Sequence, residues 1–316
     1  MRLGKPGKLV LMMALLGALS GLHSAAHAAG PAGASHGQPQ TLVHDGMERS
    51  YLVRTPRDLA PGGARLPLVL VLHGGGGNAA NAEDMTGFTA KAAKEGFIVV
   101  YPEGSSRFRG KLLTWNAGHC CGYAMQRRVN DVAFINALLD RLIQDYPVDP
   151  KRIYATGISN GGMMAHRLGI ELSGRFAAIA PVVAALFGDE KLPAHPVSAL
   201  MLNGMLDKSV PYQGGAPGGR FPDAWDGAAA KPALAQAAFW AQANGCSAAA
   251  DTQDRAAFVL SQYRCPAGRD VQLYLIKDNG HAWPGGRPGS RRADRPSSSF
   301  SGTDVIWEFF RAHAKP

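Results

Sequence analysis

Short apolar runs rich in Val, Ile and Leu recur along the chain. They are continuous and do not alternate with polar residues, which is typical of strands that are buried on both faces of a sheet. The runs are LPLVLVLH (66–73), FIVVYP (97–102), RIYATGIS (152–159), AAIAPVVA (177–184), VSALMLNG (197–204) and VQLYLIKD (271–278). Each of the six runs predicts a buried strand.

Helix-like stretches lie between these runs, among them DVAFINALLDRLIQDY (131–146), GGMMAHRLGIEL (161–172) and PALAQAAFWAQAN (232–244). The alternation of strand and helix predicts an α/β fold in a single domain, with a mostly parallel sheet flanked by helices on both faces. Residues 210–231 are rich in Gly and Pro and show no periodicity, so we predict a surface loop that helps to shape a site.

The N-terminus has the three parts of a secretory signal peptide. Basic residues precede the apolar stretch LVLMMALLGALSGL, and the small-x-small triplet Ala26-His27-Ala28 follows it. The apolar stretch is too short to span a bilayer comfortably. We therefore predict a signal peptide over residues 1–28, a flexible leader over 29–41 and a folded domain over 42–316. The mature protein is expected to be exported, to the periplasm or the extracellular medium.

Charge and composition exclude two classes of partner. Removal of the signal peptide lowers the formal net charge from +9 to +6, because three basic residues and no acidic ones are lost. The densest basic group, at positions 287, 291, 292 and 295, has no interleaved aromatic residues and is interpreted as a solvated face. We expect no nucleic-acid partner and, after signal removal, no membrane partner.

The four cysteines are Cys120, Cys121, Cys246 and Cys265. An even number in an exported chain predicts two disulfides. Cys246 and Cys265 flank a short polar segment and would close a small loop, which leaves Cys120 and Cys121 as a strained vicinal bridge or as free thiols. Adjacent cysteines lack the C-x2-C ligand spacing, so no metal site is predicted.

Ser159 lies in the pattern Gly157-Ile-Ser-Asn-Gly161. A G-x-S-x-G pattern alone is weak evidence in a chain with 39 glycines. Here a predicted strand ends at the serine and a predicted helix follows it, which is the context of a nucleophile elbow. A glycine-lined tight turn without chemistry is the alternative. We predict that Ser159 is a nucleophile.

A glycine run, His73 followed by Gly74 to Gly77, comes directly after the first predicted strand. Backbone N–H groups of Gly74 and Gly75, together with the N–H of Asn160, are predicted to form an oxyanion hole. A phosphate-binding glycine loop is disfavoured, because no G-K-[ST] follows and Ala79 stands where G-x-G-x-x-G needs its third glycine.

His281 is the predicted general base. It follows the last predicted strand in the segment KDNGHAWPGG, where Gly and Pro force a loop at the carboxyl end of the sheet. The other candidates fall in the leader (His36) or on predicted helices (His166 and His313), where surface or packing roles are expected.

Asp207 is the predicted acid that orients the histidine, because it lies just beyond the strand VSALMLNG. Asp278 is the rival, but it is only three residues from His281 and too close in sequence to reach around the imidazole easily. The order Ser159, Asp207, His281 is the order found in α/β-hydrolases.

Several blocks together resemble the secreted esterase group that includes poly(3-hydroxybutyrate) depolymerases, feruloyl esterases and acetyl xylan esterases. The resemblance spans about residues 42–312 and rests on VLHGGGGNA, YPEG, TWNAGHCCGYA, DVAFINALLDRL, VDPKRIYATGISNGGMMAHRL, LDKSVPY and GHAWPGG. It implies an α/β-hydrolase fold, the triad named above and no metal or organic cofactor. It also implies that Trp115 and Trp283 line the ester-binding cleft, with ordinary packing as the alternative role.

The resulting hypothesis is a secreted serine esterase that acts on hydroxyalkanoate oligomers or polyester, or on feruloyl-type plant esters. The chain ends soon after its last predicted helix, and the lack of an appended binding module favours soluble oligomers and small esters over crystalline polymer. Two alternatives stay open: a serine peptidase on the same fold, and a non-catalytic secreted protein that binds a polymer or polysaccharide.

Overall fold

The computed structural model describes Met1 and residues 37–56, 63–108, 110–218, 224–290 and 293–316. The described residues from 37 onward belong to one compact unit, Ala32–Pro316. The predicted signal peptide, apart from Met1, and the leader up to residue 36 lie outside the described residues. Strand β1 begins at Gln40, so the last two residues of the predicted leader already belong to the sheet.

The sheet contains ten strands within the described residues, in the order β1-β2-β4-β3-β5-β6-β7-β10-β9-β8. The strands are β1 (Gln40–His44), β2 (Met47–Arg54), β3 (Leu66–Leu72), β4 (Ile98–Pro102), β5 (Val148–Ile158), β6 (Ala178–Val182), β7 (Ser198–Gly204), β8 (Ala250–Asp254), β9 (Phe258–Tyr263) and β10 (Val271–Ile276).

The six strands predicted from apolar runs form the centre of this sheet, and all neighbouring pairs among them are parallel. The predicted α/β class is therefore confirmed. The outer strands β1, β2, β8 and β9 pair antiparallel with their neighbours and were not predicted. Strand β8, for example, reads ADTQD and is mostly exposed, so it carries no apolar signal.

Helices cover both faces of the sheet, as predicted. One face packs against α4 (Asp131–Asp145), α5 (Asn160–Glu171) and α6 (Ala233–Asn244). The other face packs against α1 (Ala79–Thr86), α2 (Phe88–Glu95) and α7 (Gly302–Arg311). The short helix α3 (Gly122–Gln126) precedes α4. Strand β3 contributes to the hydrophobic core on each face of the sheet. Leu68, Leu70 and Leu72 face α4, α5 and α6, and Val69 and Val71 face α1, α2 and α7.

Two disulfides are present. Cys246–Cys265 joins the two ends of the β8–β9 hairpin, with an S–S distance of 2.00 Å. Cys120 and Cys121 form a vicinal disulfide. The described parts of residues 210–231 contain no long helix or strand. An isolated bridge between Gly215 and Ala230 lies within this segment, and one between Trp225 and Cys120 joins it to the loop before α3. Across the described ranges, no helix is long and apolar enough to cross a membrane.

Candidate active site

The three predicted triad residues lie at one edge of the sheet. Ser159 directly follows β5, Asp207 follows β7 and His281 follows β10. These strands belong to the parallel run β5-β6-β7-β10. Because the carboxyl ends of parallel strands meet at the same edge, the three loops converge there, which is where ligands bind in open α/β sheets.

Ser159 occupies a strained backbone conformation, with φ 55° and ψ −123°. Positive φ is rare for a residue with a Cβ atom and marks stored strain at a functional position. The turn is tied to the neighbouring strand β6, because the N–H of Ser159 donates to Val182 O at 2.9 Å. Helix α5 begins at the next residue, so its N-terminus lies directly beside the serine.

The glycines around Ser159 are required by the closeness of the backbone. A Cβ atom added to Gly157 would lie 2.6 Å from the carbonyl carbon of Gly161. A Cβ atom on Gly161 would overlap the carbonyl oxygens of Leu72 and His73. The G-x-S-x-G pattern is therefore a packing requirement of this strand-to-helix turn, and any side chain at position 161 would displace the glycine run.

His281 is paired with Asp207. Its Nδ1 lies 2.8 Å from Asp207 Oδ2, and the imidazole N–H donates to the carboxylate. The second carboxylate oxygen accepts the backbone N–H groups of Ser209 (2.7 Å) and Val210 (2.8 Å). Asp207 is buried, so these bonds fix its orientation. A proton held on Nδ1 leaves Nε2 free to accept one from a hydroxyl group.

The rival acid has a different partner, since Asp278 accepts the hydroxyl of Ser299 at 3.0 Å.

A further carboxylate was missed by the sequence analysis. Asp294 Oδ2 accepts the backbone N–H of His281 at 2.7 Å and so fixes the loop that carries the imidazole. It comes from an irregular segment 13 residues further along, and no local pattern marks it.

The glycine run packs directly against the elbow. A Cβ atom added to Gly74 would lie 3.7 Å from Ser159 Cβ, and one on Gly75 would lie 3.6 Å from Asn160 Cβ. Both distances are ordinary van der Waals contacts, so the two glycines lie directly beside the elbow. The structure thus brings together the three residues predicted to supply oxyanion donors, Gly74, Gly75 and Asn160.

His73 sets the orientation of the glycine run. Its Nε2 accepts the N–H of Gly104 at 3.0 Å, and its Nδ1–H donates to Gly74 O at 2.8 Å, so the ring is neutral. Gly74 O also accepts the N–H of Gly77 at 3.0 Å. In a trans peptide the C=O and N–H groups point in opposite directions, so the N–H of Gly75 points away from His73.

Acidification from pH 7 to pH 4 is expected to destabilise the fold. Burial lowers the pKa of His73 to about 4 and that of His166 to about 3. In the unfolded chain both titrate near their usual value, so the unfolded state binds protons first. The stabilisation is complete above pH 6.5 and is lost as the pH falls towards 4, by about 3 kcal/mol for His73. Urea unfolding at four pH values measures this, and His166→Gln should show a smaller loss. A flat profile would contradict the buried neutral histidines.

Trp115 and Trp283 do not line a cleft in this structure, because both indoles are fully buried. Trp115 Nε1 donates to His73 O at 3.1 Å, beneath the glycine run. Trp283 Nε1 donates to Thr303 Oγ1 at 2.9 Å, and its ring packs edge-to-face on Phe88. The expectation of direct substrate contact is corrected here, because both side chains pack inside the core, which was the alternative role.

An open cavity of about 490 Å³ adjoins the glycine run. It is lined by Gly76 and by Phe108, Lys111 and Leu112. These three residues belong to a turn between β4 and α3 that is closed by the bridges Ser105 to Thr114 and Phe108 to Lys111. The same turn is attached to the glycine run, because Gly76 N–H donates to Leu113 O at 2.8 Å.

Clusters of three or more His, Cys, Asp or Glu side chains that could hold a metal ion are absent from the part of the chain that the structure describes. The site groups are a hydroxyl, an imidazole, a carboxylate and backbone N–H donors. This set can carry out acyl transfer by a nucleophilic serine.

A mostly parallel sheet with a serine elbow after its fifth strand and an acid and a histidine after later strands defines the α/β-hydrolase class. The chain belongs to the esterase PHB depolymerase family, whose model matches residues 50–211. The resemblance stated from the sequence blocks is thereby confirmed.

Known proteins support this assignment. Feruloyl esterase B of Piromyces equi is 30% identical over 251 residues, which cover 76% of this chain and 44% of that protein. The putative esterase NocK of Nocardia uniformis subsp. tsuyamanensis is 30% identical over 262 residues, 78% of this chain and 73% of that one. The chain thus spans less than half the length of feruloyl esterase B. Among solved structures, an acetyl xylan esterase from Aspergillus awamori superposes with a TM-score of 0.58 at 15% identity, covering 87% of this chain and 99% of that one, which shows the shared fold.

Proposed function

We propose that the protein is an exported serine esterase that hydrolyses carboxylic esters through an acyl-enzyme. The observation that carries this proposal is the hydrogen bond between His281 and Asp207, at the sheet edge where Ser159 occupies its strained turn. The names of its relatives, feruloyl esterase B and a poly(3-hydroxyalkanoate) depolymerase, support ester substrates.

Acylation follows from the roles of these groups. His281 Nε2 takes the proton of the Ser159 hydroxyl while Oγ attacks the ester carbonyl carbon, and Asp207 stabilises the imidazolium that forms. The carbonyl oxygen becomes an oxyanion, which accepts the backbone N–H groups of Asn160 and of the glycine run. The intermediate then expels the alcohol, which leaves with the proton from His281.

Deacylation repeats the sequence with water as the nucleophile. His281 removes a proton from water, and the resulting hydroxide attacks the acyl carbon bound to Ser159. The second tetrahedral intermediate collapses, Ser159 Oγ regains a proton from His281, and the carboxylic acid is released. No cofactor takes part in either step of this proposal.

Apolar side chains at the rim of the site support esters with apolar acyl or alcohol groups. Phe108 is 46% exposed and Leu112 is 60% exposed, and both line the cavity beside the glycine run. Leu206 precedes the acid and is 58% exposed. Large apolar residues that stay this exposed at a site edge favour contact with apolar ligand groups. We propose hydroxyalkanoate oligomers and feruloyl-type esters as the substrate classes.

Replacement of Phe108 by alanine is expected to reduce the preference for longer acyl groups. Loss of the phenyl surface should lower kcat/KM for p-nitrophenyl butyrate about tenfold, but that for the acetate by less than about threefold, since the acetate buries less apolar area. Steady-state kinetics with both esters checks this. Leu234→Ala, at a similarly exposed position on α6, is the control. An equal loss for both esters would remove Phe108 from the acyl subsite.

Export is proposed from the signal-peptide pattern of residues 1–28. The two disulfides support it, because such bonds persist in oxidising compartments.

The test of the proposed activity is hydrolysis of a small panel by the mature protein and by Ser159→Ala. The panel contains p-nitrophenyl acetate and butyrate, methyl ferulate, 3-hydroxybutyrate oligomers and a chromogenic peptide. We expect ester turnover that the substitution abolishes, and no peptide turnover. If the folded wild-type protein turned over none of the esters, the proposal would be wrong.

A further inference from the structure

Trp115 lies between the two chain segments that supply the proposed oxyanion donors. It sits in the connection between β4 and α3, outside any strand or helix, and is fully buried. On one side lies Asn160, the first residue of α5, and on the other lies His73, at the start of the glycine run. Each side is joined to Trp115 by hydrogen bonds.

The contact with Asn160 uses the whole side-chain amide. The backbone N–H of Trp115 donates to Asn160 Oδ1 at 2.7 Å, and Asn160 Nδ2 donates to Trp115 O at 3.0 Å. Asn160 is fully buried, so it has no water to replace these partners. This two-point contact fixes the side chain of the residue whose backbone N–H is a proposed oxyanion donor.

The contact with His73 uses the indole. Trp115 Nε1–H donates to His73 O at 3.1 Å, and the two rings lie 5.0 Å apart. His73 in turn holds Gly74 O through its own Nδ1–H. The indole therefore holds the start of the glycine run in place, while the backbone of the same residue holds the side chain of Asn160.

The segment around Trp115 is itself anchored to the core. The next residue, Asn116, donates its backbone N–H to buried Asp131 Oδ2 at 2.8 Å. Cys121 N–H donates to Trp115 O at 3.0 Å, so the vicinal disulfide lies directly against the same carbonyl. Asn160 Nδ2 also lies 3.8 Å from Cys120 Sγ. Trp115 thus has one defined position from which to hold both donors.

We propose that Trp115 is a positioning residue that holds the two halves of the oxyanion hole, the glycine run and Asn160, at a fixed separation. This inference rests on the proposed function. Donors stabilise the oxyanion only within a few tenths of an ångström of their working distance, and small displacements in such a site cost rate and not substrate affinity.

Trp115→Phe tests the indole contact, because it keeps an aromatic ring and removes the N–H donor to His73 O. We expect kcat for p-nitrophenyl butyrate to fall about tenfold or more, with KM unchanged within about twofold. The inhibition constant of butylboronic acid, whose adduct with serine places an oxygen in the oxyanion hole, should rise by a similar factor. A variant that only weakened the fold would not produce this split.

Trp240→Phe is the matched control. Trp240 is also fully buried, and its Nε1 also donates to one core acceptor, His166 Nδ1 at 3.0 Å, on helices α5 and α6. It should lose as much thermal stability as Trp115→Phe but keep kcat within about twofold. Equal kcat losses in the two variants would overturn the inference, and so would an unchanged kcat in Trp115→Phe.

Asn160→Ala tests the other contact and decides the question if Trp115→Phe does not fold. It removes the side-chain amide and keeps the backbone donor, so kcat should fall with KM unchanged. Both substitutions remove contacts through which Trp115 holds the oxyanion donors. The fold-loss in kcat of the double variant should therefore be smaller than the product of the two single fold-losses. Inactive wild-type protein would refute the proposed function. Active wild-type protein whose variants keep the wild-type kcat would refute this inference alone.

Discussion

Asp207→Asn is expected to lower kcat by about 10⁴-fold while KM changes little. An amide at this position presents an N–H group to the histidine, so the ring turns or takes the tautomer that has its proton on Nε2. In that state His281 cannot accept the proton of Ser159. The backbone N–H groups of Ser209 and Val210 already hold Oδ1 of Asp207, which keeps the side chain in place after the substitution. Stopped-flow and steady-state hydrolysis of p-nitrophenyl butyrate measures the loss.

Asp278→Asn is the control for this variant, because Asp278 is the rival acid and lies only three residues before His281. Its carboxylate accepts the Ser299 hydroxyl, so the variant should retain kcat within about threefold. A reversal, with Asp278→Asn inactive and Asp207→Asn active, would mean that the histidine works with the other acid.

Asp131→Ala is expected to have the largest effect on stability, lowering the free energy of unfolding by about 3–5 kcal/mol. Asp131 Oδ1 lies 2.7 Å from Arg49 Nη2, and both side chains are buried. The substitution leaves the guanidinium of Arg49 without its counter-charge and the N–H of Asn116 without its acceptor. Burial raises the pKa of Asp131, and the charge of Arg49 opposes that rise. The attraction between the two charges offsets the cost of removing each from water, and without its partner either charge would be buried uncompensated.

Asp145→Ala provides the comparison on the same helix. Asp145 pairs with Arg141 one turn away at the exposed end of α4. Exposed pairs of this kind contribute less than about 1 kcal/mol. Urea unfolding of both variants at pH 7 gives the two values, and equal losses would contradict the special role of the buried pair.

The central sheet could be predicted from the sequence because burial on both faces produces continuous apolar runs. Strand β8 gave no such run, since its residues are mostly exposed and its pairing with β9 depends on tertiary contacts. The Cys246–Cys265 disulfide closes that hairpin, and the cysteine spacing alone pointed to it.

The candidate site could be predicted in part for the same kind of reason. Ser159 and His281 follow strands whose ends are fixed by the fold, so a local pattern locates them. Asp294 and Trp115 act through backbone groups that are distant in sequence, namely the N–H of His281 and the carbonyl of His73. The sequence pattern carries no information about such contacts. The resemblance implied a cleft role for Trp115 with ordinary packing as the alternative, and the structure shows the packing role.

Covalent labelling with a fluorophosphonate, followed by peptide mass spectrometry, tests most directly whether Ser159 is the nucleophile. The mature protein should gain one adduct, on the peptide that contains Ser159, and the reaction should be absent in Ser159→Ala and at least about 10³-fold slower in His281→Ala. Labelling of another residue or equal labelling of Ser159→Ala would contradict Ser159 as the nucleophile, and no labelling of the folded wild-type protein would contradict a serine esterase.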